Sequence, residues 1–299
     1  MSITVIIPHL NQPEHLKRGL SALAEQQNVR RQIDVIVVDN GSKDMPNEIC
    51  NQWPNTTLLR QETPGPGPAR NLGISRAKGD ILAFIDADCH AHPNWLAAIE
   101  TAFENNETLV IGGDVQVPFI DADKPTQLES YERVFGFRNR EYVASGYSGT
   151  GNLAMRPEAF DHVGPFGGIE MAEDRDWGLR ATRLGIRTRY VADMIVYHPA
   201  RLHFREMQQK WDRHIAHDFS RVQSASAKMK WLARALAIGL SPLGELPKVF
   251  RSNRISGLTQ RSLALRCLIR IRAYRCLKML AVLWRGDGRA LSQAWNRDS

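Results

Sequence analysis

Two aspartates separated by one residue, Asp86-Ala87-Asp88, follow directly on the apolar run ILAFI at 81–85. In an extended chain, residues i and i+2 face the same side, so both carboxylates are expected on one side of a strand exit. Close carboxylates repel and raise a pKa unless a cation or hydrogen-bond donors neutralise them. Hard oxygen ligands of this kind suit Mg²⁺ or Mn²⁺, ions that keep several waters and bridge substrate phosphates. Read alone, Asp88 serves equally as an N-cap for the helix expected behind Asn94. A second acidic group is Glu173-Asp174-Arg175-Asp176. A carboxylate there can take a proton from a hydroxyl, although the same acids also favour a helix N-terminus. Arg175, Asp176 and Arg180 also have the spacing of ordinary helix-surface pairs. His198, in VYHP, is a borderline ligand that suits Mn²⁺, or else a structural histidine. Gly149-Thr150-Gly151-Asn152 lets backbone come close to a sugar, or is a plain loop. Within DNGSKD at 39–44, Asn40-Gly41-Ser42 reads alone either as a mere turn or as part of a site.

These residues need a frame. The runs at 3–7, 33–38 and 81–85 are apolar throughout rather than alternating, as expected for strands covered on both faces. Between them lie helical patterns: 13–25, with Leu16, Leu20 and Leu23 in register, and 69–77 behind the loop TPGPGP. Strand–helix alternation of this kind builds a parallel βαβ sheet. Ligands in open α/β sheets bind outside the carboxyl ends of the strands. The polar clusters at 8–11, 39–44 and 86–88 fall at those ends. Further on, the pattern predicts a helix at 93–105, a strand at 109–117 broken by a glycine pair, and a Gly-rich loop feeding a strand over 145–155. A helix at 173–184 and a strand at 187–197 follow. Residues 201–299 read as helix after helix, with breaks near Pro242, Pro247 and Gly257.

The chain has 299 residues and a net charge of +7, which hides an asymmetry: residues 1–200 carry −7 and residues 201–299 carry +14. The division expected is therefore a catalytic domain over 1–200 and a basic helical extension over 201–299. Four cysteines with no CxxC spacing suggest neither a zinc site nor a disulfide framework, and a reducing compartment is the simplest home. No basic region precedes the first strand, so no signal peptide is expected. The most apolar stretch, 235–244, is short, contains Pro242 and is bounded by Arg234 and Glu245, too little to cross a bilayer. Over 263–284, Leu265, Ile269, Cys276, Leu280 and Leu283 share one helical face, with Arg272, Arg275 and Lys278 largely opposite. Such a helix can lie on an anionic leaflet, or pack on the body with a solvated basic face. Nucleic acid is not expected, because no recognisable module accompanies the charge.

Four stretches in order and spacing, VIIPHLNQ, VVDNGSKD, GPGPARNLGISRAKGDILAFIDADC and EDRDWGLRATRLG, together resemble glycosyltransferase family 2, inverting nucleotide-sugar transferases of GT-A fold. The resemblance spans about residues 1–200. It departs from the family at Leu10, where an aromatic residue often stands. The resemblance implies an α/β, Rossmann-like, mostly parallel sheet, with Pro8 and Asn11 lining the nucleotide pocket and Asp39 accepting a hydrogen bond from the base. It also implies Arg70 near the base or diphosphate, Asp86 on the ribose side and Asp88 holding a metal, Mn²⁺ or Mg²⁺. Asp174 would be the general base, and a late histidine, here His198, completes the metal site in some relatives. The function so implied is transfer of a sugar from a nucleotide-sugar donor, a UDP-sugar by preference, to a hydroxyl of a glycan or lipid-linked acceptor in cell-surface polysaccharide synthesis. The expected place is the cytoplasm, peripheral on the inner face of the cell membrane. The rival reading is a catalytically inactive nucleotide-sugar-binding subunit of a membrane assembly.

Overall fold

A computed structural model describes residues 2–169, 171–220 and 222–286. Its elements run β1 (Ser2–His9), α1 (Pro13–Ala24), β2 (Gln32–Asp39), α2 (Asn47–Cys50), β3 (Thr56–Arg60), α3 (Pro66–Arg76) and β4 (Ile81–Ile85). Then come β5 (His90–Ala91), α4 (Trp95–Ala102), β6 (Val110–Gln116), α5 (Gln127–Phe135), α6 (Asn139–Ala144), β7 (Asn152–Met155), α7 (Pro157–Val163), α8 (Glu173–Arg183) and β8 (Thr188–Tyr197). Three helices follow: α9 (Phe204–Phe219), α10 (Ala225–Arg251) and α11 (Gly257–Arg285).

The strands form one sheet ordered β3-β2-β1-β4-β7-β6-β8-β5. Its first half, β3 to β4, is parallel throughout. In the second half β7 runs antiparallel to β4 and β6, and β5 to β8, whereas β6 and β8 are parallel. The α/β class and the largely parallel arrangement thus match the expectation. All five residues of β4 are buried, which is why ILAFI shows no alternation. The glycine pair in β6 marks a register shift between Gly113 and Asp114, where an added Cβ on Gly113 would fall 2.2 Å from the Met194 carbonyl. A bulge there is what the interrupted run predicts.

Several elements depart from the sequence reading, which places nothing at α2, β5, α5, α6 or α7; β3 and α3 show why. TTLLR forms β3, a short edge strand with no fully buried residue, too exposed to show as an apolar run. Helix α3 starts inside the expected loop, at Pro66: proline suits the first helical position, and Gly65 before it takes a φ of +119°, which only glycine holds easily.

The chain clusters into two compact units, one of Met1–Gln116 with Arg138–Pro199, the other of Val117–Phe137 with Ala200–Ser299. One division between the units falls between Pro199 and Ala200, and residues 117–137 leave the sheet unit. Helix α5 carries the reason: Leu128 and Tyr131 are buried with Met207, Cys267, Leu268 and Ile271. Its Glu132 receives Arg201, and Arg133 donates to the Val117 carbonyl.

Within the helical unit, α10 runs unbroken through Pro242 and Pro247, contrary to the expected breaks. Pro242 cannot donate to Ile238, and the Ser241 hydroxyl takes that carbonyl instead at 2.8 Å. The cations expected to face a membrane are also reassigned. Arg272 pairs with Glu245 at 2.6 Å, Lys278 with Asp212 at 3.7 Å, and buried Arg275 lies 3.6 Å over the Trp211 ring. Burial first, and then neighbouring Arg272, push the Arg275 pKa down to about 10. Arg272 and Arg275 hold helices together, so glutamate at either would destabilise the helical unit. Among the described residues, no helix is long and apolar enough to cross a membrane.

Candidate active site

Register makes the first contact. Parallel pairing sets His9 beside Asp39 on the last rung of β1 and β2. His9 Nε2 accepts from the Gln12 amide at 3.2 Å, so Nδ1 carries the proton and donates to Asp39 Oδ1 at 3.0 Å. Asp39 Oδ2 accepts from the Gly41 and Ser42 amides. Burial pushes this carboxyl up, but the hydrogen bonds from Ser42 and His9 outweigh it and hold Asp39 below the ordinary aspartate range. With no exposed surface and both oxygens engaged, Asp39 orders the loop at the mouth of the sheet. Asn11, in left-handed backbone at φ 51°, ties the same loop down by accepting from the Lys43 amide, and its own amide donates to Ser42 Oγ. Pro8 is half-buried on the strand before it. Asn40 clamps the next loop, donating to the Gln61 and Thr63 carbonyls and accepting from Gly65.

The second group gathers on Arg70. Helix α3 is fastened to the loop before α8 by Asn71, which donates to the Phe166 carbonyl and accepts from its amide. Gly67 permits this approach, since a Cβ would fall 2.0 Å from the Gly167 carbonyl oxygen. Arg70, one residue before Asn71, then reaches Asp86 at 2.6 Å and Glu173 at 2.8 Å. The guanidinium is buried and its two outer nitrogens are engaged by carboxylates. Its fork bridges the end of β4 to the start of α8, which no point charge would do as well.

Asp86 and Asp88 do not extend from the strand as expected. The Cys89 amide closes a turn on the Asp86 carbonyl at 3.0 Å, and the two side chains diverge. Asp86 goes to Arg70, and Asp88 Oδ2 lies 3.3 Å from His198 Nε2. His198 Nδ1 is 2.7 Å from the Pro199 carbonyl, which can only accept, so Nδ1 carries the proton of the neutral ring. The Nε2 lone pair then points at a carboxylate oxygen, an arrangement that a proton or a cation must resolve. Desolvation and then Asp88 raise the Asp86 pKa despite Arg70. Desolvation acts upward on Asp88 too, but His198 and His15 on α1 bring it below the usual range.

Asp174, at the start of α8, accepts from the Arg175 amide at 2.6 Å. Its pKa is raised, by burial first and then by Glu173, against the pull of Arg70. The Gly-rich loop lies against these acids: a Cβ on Gly151 would come 2.7 Å from Asp86 Oδ2, and one on Gly149 3.9 Å from Asp174 Oδ2. A side chain at 151 would have to push the Asp86 carboxylate aside. Gly151→Ala is expected to displace Asp86 from Arg70, lowering the melting temperature and weakening nucleotide binding about tenfold or more, readable by thermal unfolding and calorimetric titration. Asn152 anchors the loop's end, donating to the Asp114 and Met194 carbonyls and accepting from Trp95 Nε1.

Sequence reasoning passed over Tyr147. Its backbone packs on α8 where Gly178 leaves room, its ring stacks on Tyr142 at 5.3 Å and 18°, and Asp174 is close enough to help raise its pKa after burial and Tyr142. Aromatic residues in a Gly-rich approach to an acidic helix start were the available signal.

A sheet with a parallel half, its carboxyl end ringed by acids from β4 and α8, is the GT-A class of α/β fold. A model of glycosyl transferase family 2 matches residues 4–169. The chain is similar to glycosyltransferase AglE of Haloferax volcanii, 32% identical over 206 residues covering 67% of each chain. It is also similar to the pre-mycofactocin glycosyltransferase of Mycobacterium tuberculosis, 26% identical over 95% of this chain but 61% of that one. The chain belongs to glycosyl transferase family 2. In fold it is similar to a Pyrobaculum calidifontis mannosyltransferase in complex with GDP-Man and Mn²⁺, with a TM-score of 0.59, 16% identity and 94% and 86% of the two chains covered. Residues 1–349 of Staphylococcus aureus TarS in complex with UDP-GlcNAc give a TM-score of 0.53 at 17% identity, covering 98% and 88%.

Proposed function

We propose that this glycosyltransferase moves a sugar, with inversion, from a UDP-sugar to a hydroxyl of a glycan or lipid-linked acceptor, with Asp174 as general base. The observation that carries the assignment is the division of labour around Arg70. That cation is spent on Asp86 and Glu173, leaving Asp174 desolvated and, among the described residues, without a short ion pair. A carboxylate so placed favours taking a proton. Asp174 removes the acceptor proton as the hydroxyl oxygen bonds to the anomeric carbon, and the bond from that carbon to the nucleoside diphosphate breaks. The stacked Tyr142–Tyr147 pair offers a flat apolar face for the acceptor sugar beside the base.

Asp39, Asn11 and Pro8 shape the nucleotide end of the cleft. Because Asp39 is enclosed, the base meets the loop it orders, and the carboxylate itself only after that loop shifts. Asp86, partly open to solvent, faces the ribose side, with Arg70 positioning it. Asp88 and His198 fit a divalent ion, Mn²⁺ or Mg²⁺, since a carboxylate oxygen and an imidazole nitrogen stand 3.3 Å apart there and the nitrogen can ligate once it gives up its proton. Among the described residues no group of three or more such side chains forms a cage, and these ions take their remaining oxygens from phosphate and water. Such an ion, when bound, supplies positive charge to the departing diphosphate. A lipid-linked acceptor would place the work on the cytoplasmic face of a membrane.

The test is a thermal shift. UDP is expected to raise the melting temperature more with Mn²⁺ than with EDTA, by linkage of binding to stability. Asp88→Asn removes that difference and leaves the unliganded melting temperature nearly unchanged. A metal-dependent shift that survives in the variant assigns the ion elsewhere.

A further inference from the structure

Helix α10 has two apolar faces. The inner one, Trp231, Ala235, Pro242 and Val249, is buried, and Trp231 Nε1 donates to the Met279 carbonyl of α11 at 3.0 Å. The outer one is open: Met229 is 66% exposed, Leu236 50%, Leu240 69%, Leu243 72% and Phe250 53%. Their spacings of seven, four, three and seven residues keep them on one stripe of the helix. Ala233, Ala237, Gly244 and Pro247 are also exposed and uncharged. An apolar strip of this length that no described residue covers marks an interaction surface.

Charge identifies the partner. Exposed Lys228 and Lys230 stand at one end of the strip, and exposed Lys248 and Arg251 at the other. The helix's one acid, Glu245, is turned inward to Arg272. A second copy laid on the strip would bring like-charged ends together with no α10 acid to pair them. A surface of anionic headgroups over hydrocarbon satisfies both features at once.

We propose that the outward stripe of α10 seats the protein on an anionic lipid bilayer, lying in the headgroup plane with Leu236, Leu240 and Leu243 in the acyl boundary. This deepens the membrane-face reading above, and the test is read without turnover, so the two can fail separately. The full chain is sedimented with vesicles of phosphatidylcholine alone or mixed with phosphatidylglycerol. Binding is expected on the mixed vesicles at low salt, much weaker binding on the neutral ones, and a loss as salt rises. The double variant Leu240→Glu/Leu243→Glu, at exposed positions, is expected to bind at least tenfold more weakly while keeping its UDP-induced thermal shift. Lys228→Glu with Lys248→Glu loses a similar factor on anionic vesicles, since each cation contributes about fivefold. Leu240→Trp leaves the fold least disturbed: its emission should shift to the blue on the mixed vesicles and be quenched by brominated acyl chains. Wild-type protein that stays in the supernatant at low salt overturns the proposal. So does an unquenched indole, vesicle binding indifferent to the double substitution, or a dimer in sedimentation velocity that the double substitution dissolves.

Discussion

Asp174→Asn is expected to lower turnover by about 10²–10⁴-fold while the donor still binds. The substitution keeps size and hydrogen-bonding reach, so the start of α8 and the Arg175 amide contact survive. What disappears is the capacity to hold the acceptor proton as the new bond forms. The wild-type pH profile provides an independent check. Asp174 must be ionised to act, so kcat/KM falls as pH drops through its pKa. That limb should lie above the value of about 3.9 for a free aspartate, because burial, and then Glu173, raise the group in the folded protein. Turnover near the wild-type level in the variant would leave Asp174 only a helix-start residue. Donor binding is measured separately by the UDP-induced thermal shift, so a dead variant that still binds is distinguishable from a misfolded one.

The sheet was legible where both faces are covered, because burial leaves an unbroken apolar run: β1, β2 and β4 declare themselves. It was illegible at β3, whose residues are half-exposed. The acids of the site were legible as types and spacings, but their partners were not. Nothing in ARN shows that Arg70 will be buried between Asp86 and Glu173, since that follows from Asn71 and Gly67 drawing α3 onto the loop before α8. The same holds for Asp86-Ala87-Asp88, where an extended geometry was expected and a turn sends the side chains apart. The basic tail misled for a related reason. Charge is visible in sequence, but the partners that absorb it, Glu245, Asp212 and the Trp211 ring, come from distant helices. The apolar strip of α10 was visible too, and its length excluded a membrane span without revealing that its outer face stays open.

Arg70→Met is expected to unfold the sheet unit more readily and to abolish donor binding, with a pH dependence that identifies the cause. Arg70 is the buried cation that Asp86 and Glu173 share, in a cluster that also contains Asp88 and Asp174. Breaking a buried ion pair by removing one partner costs about 3–5 kcal/mol. Asp86 retains some access to water, so the lower end applies, a loss of roughly 6–12 °C in melting temperature. Methionine fills much of the volume, which keeps a cavity from dominating the result. Without the guanidinium, the neighbouring carboxylates push the Asp86 pKa further above its unfolded value. The folded state then holds protons that the unfolded state releases, so the variant's stability falls as pH rises through that interval. Below about pH 4, where a free aspartate is itself protonated, this part of the penalty vanishes and the gap to wild type narrows. Arg70→Lys restores the charge but not the fork, and a single ammonium cannot bridge both acids as the guanidinium does; its melting temperature should recover in part, its donor affinity less. A gap that stays constant from neutral pH to pH 4 would mean that Arg70 acts through packing alone, and the electrostatic link between β4 and α8 would have to be abandoned.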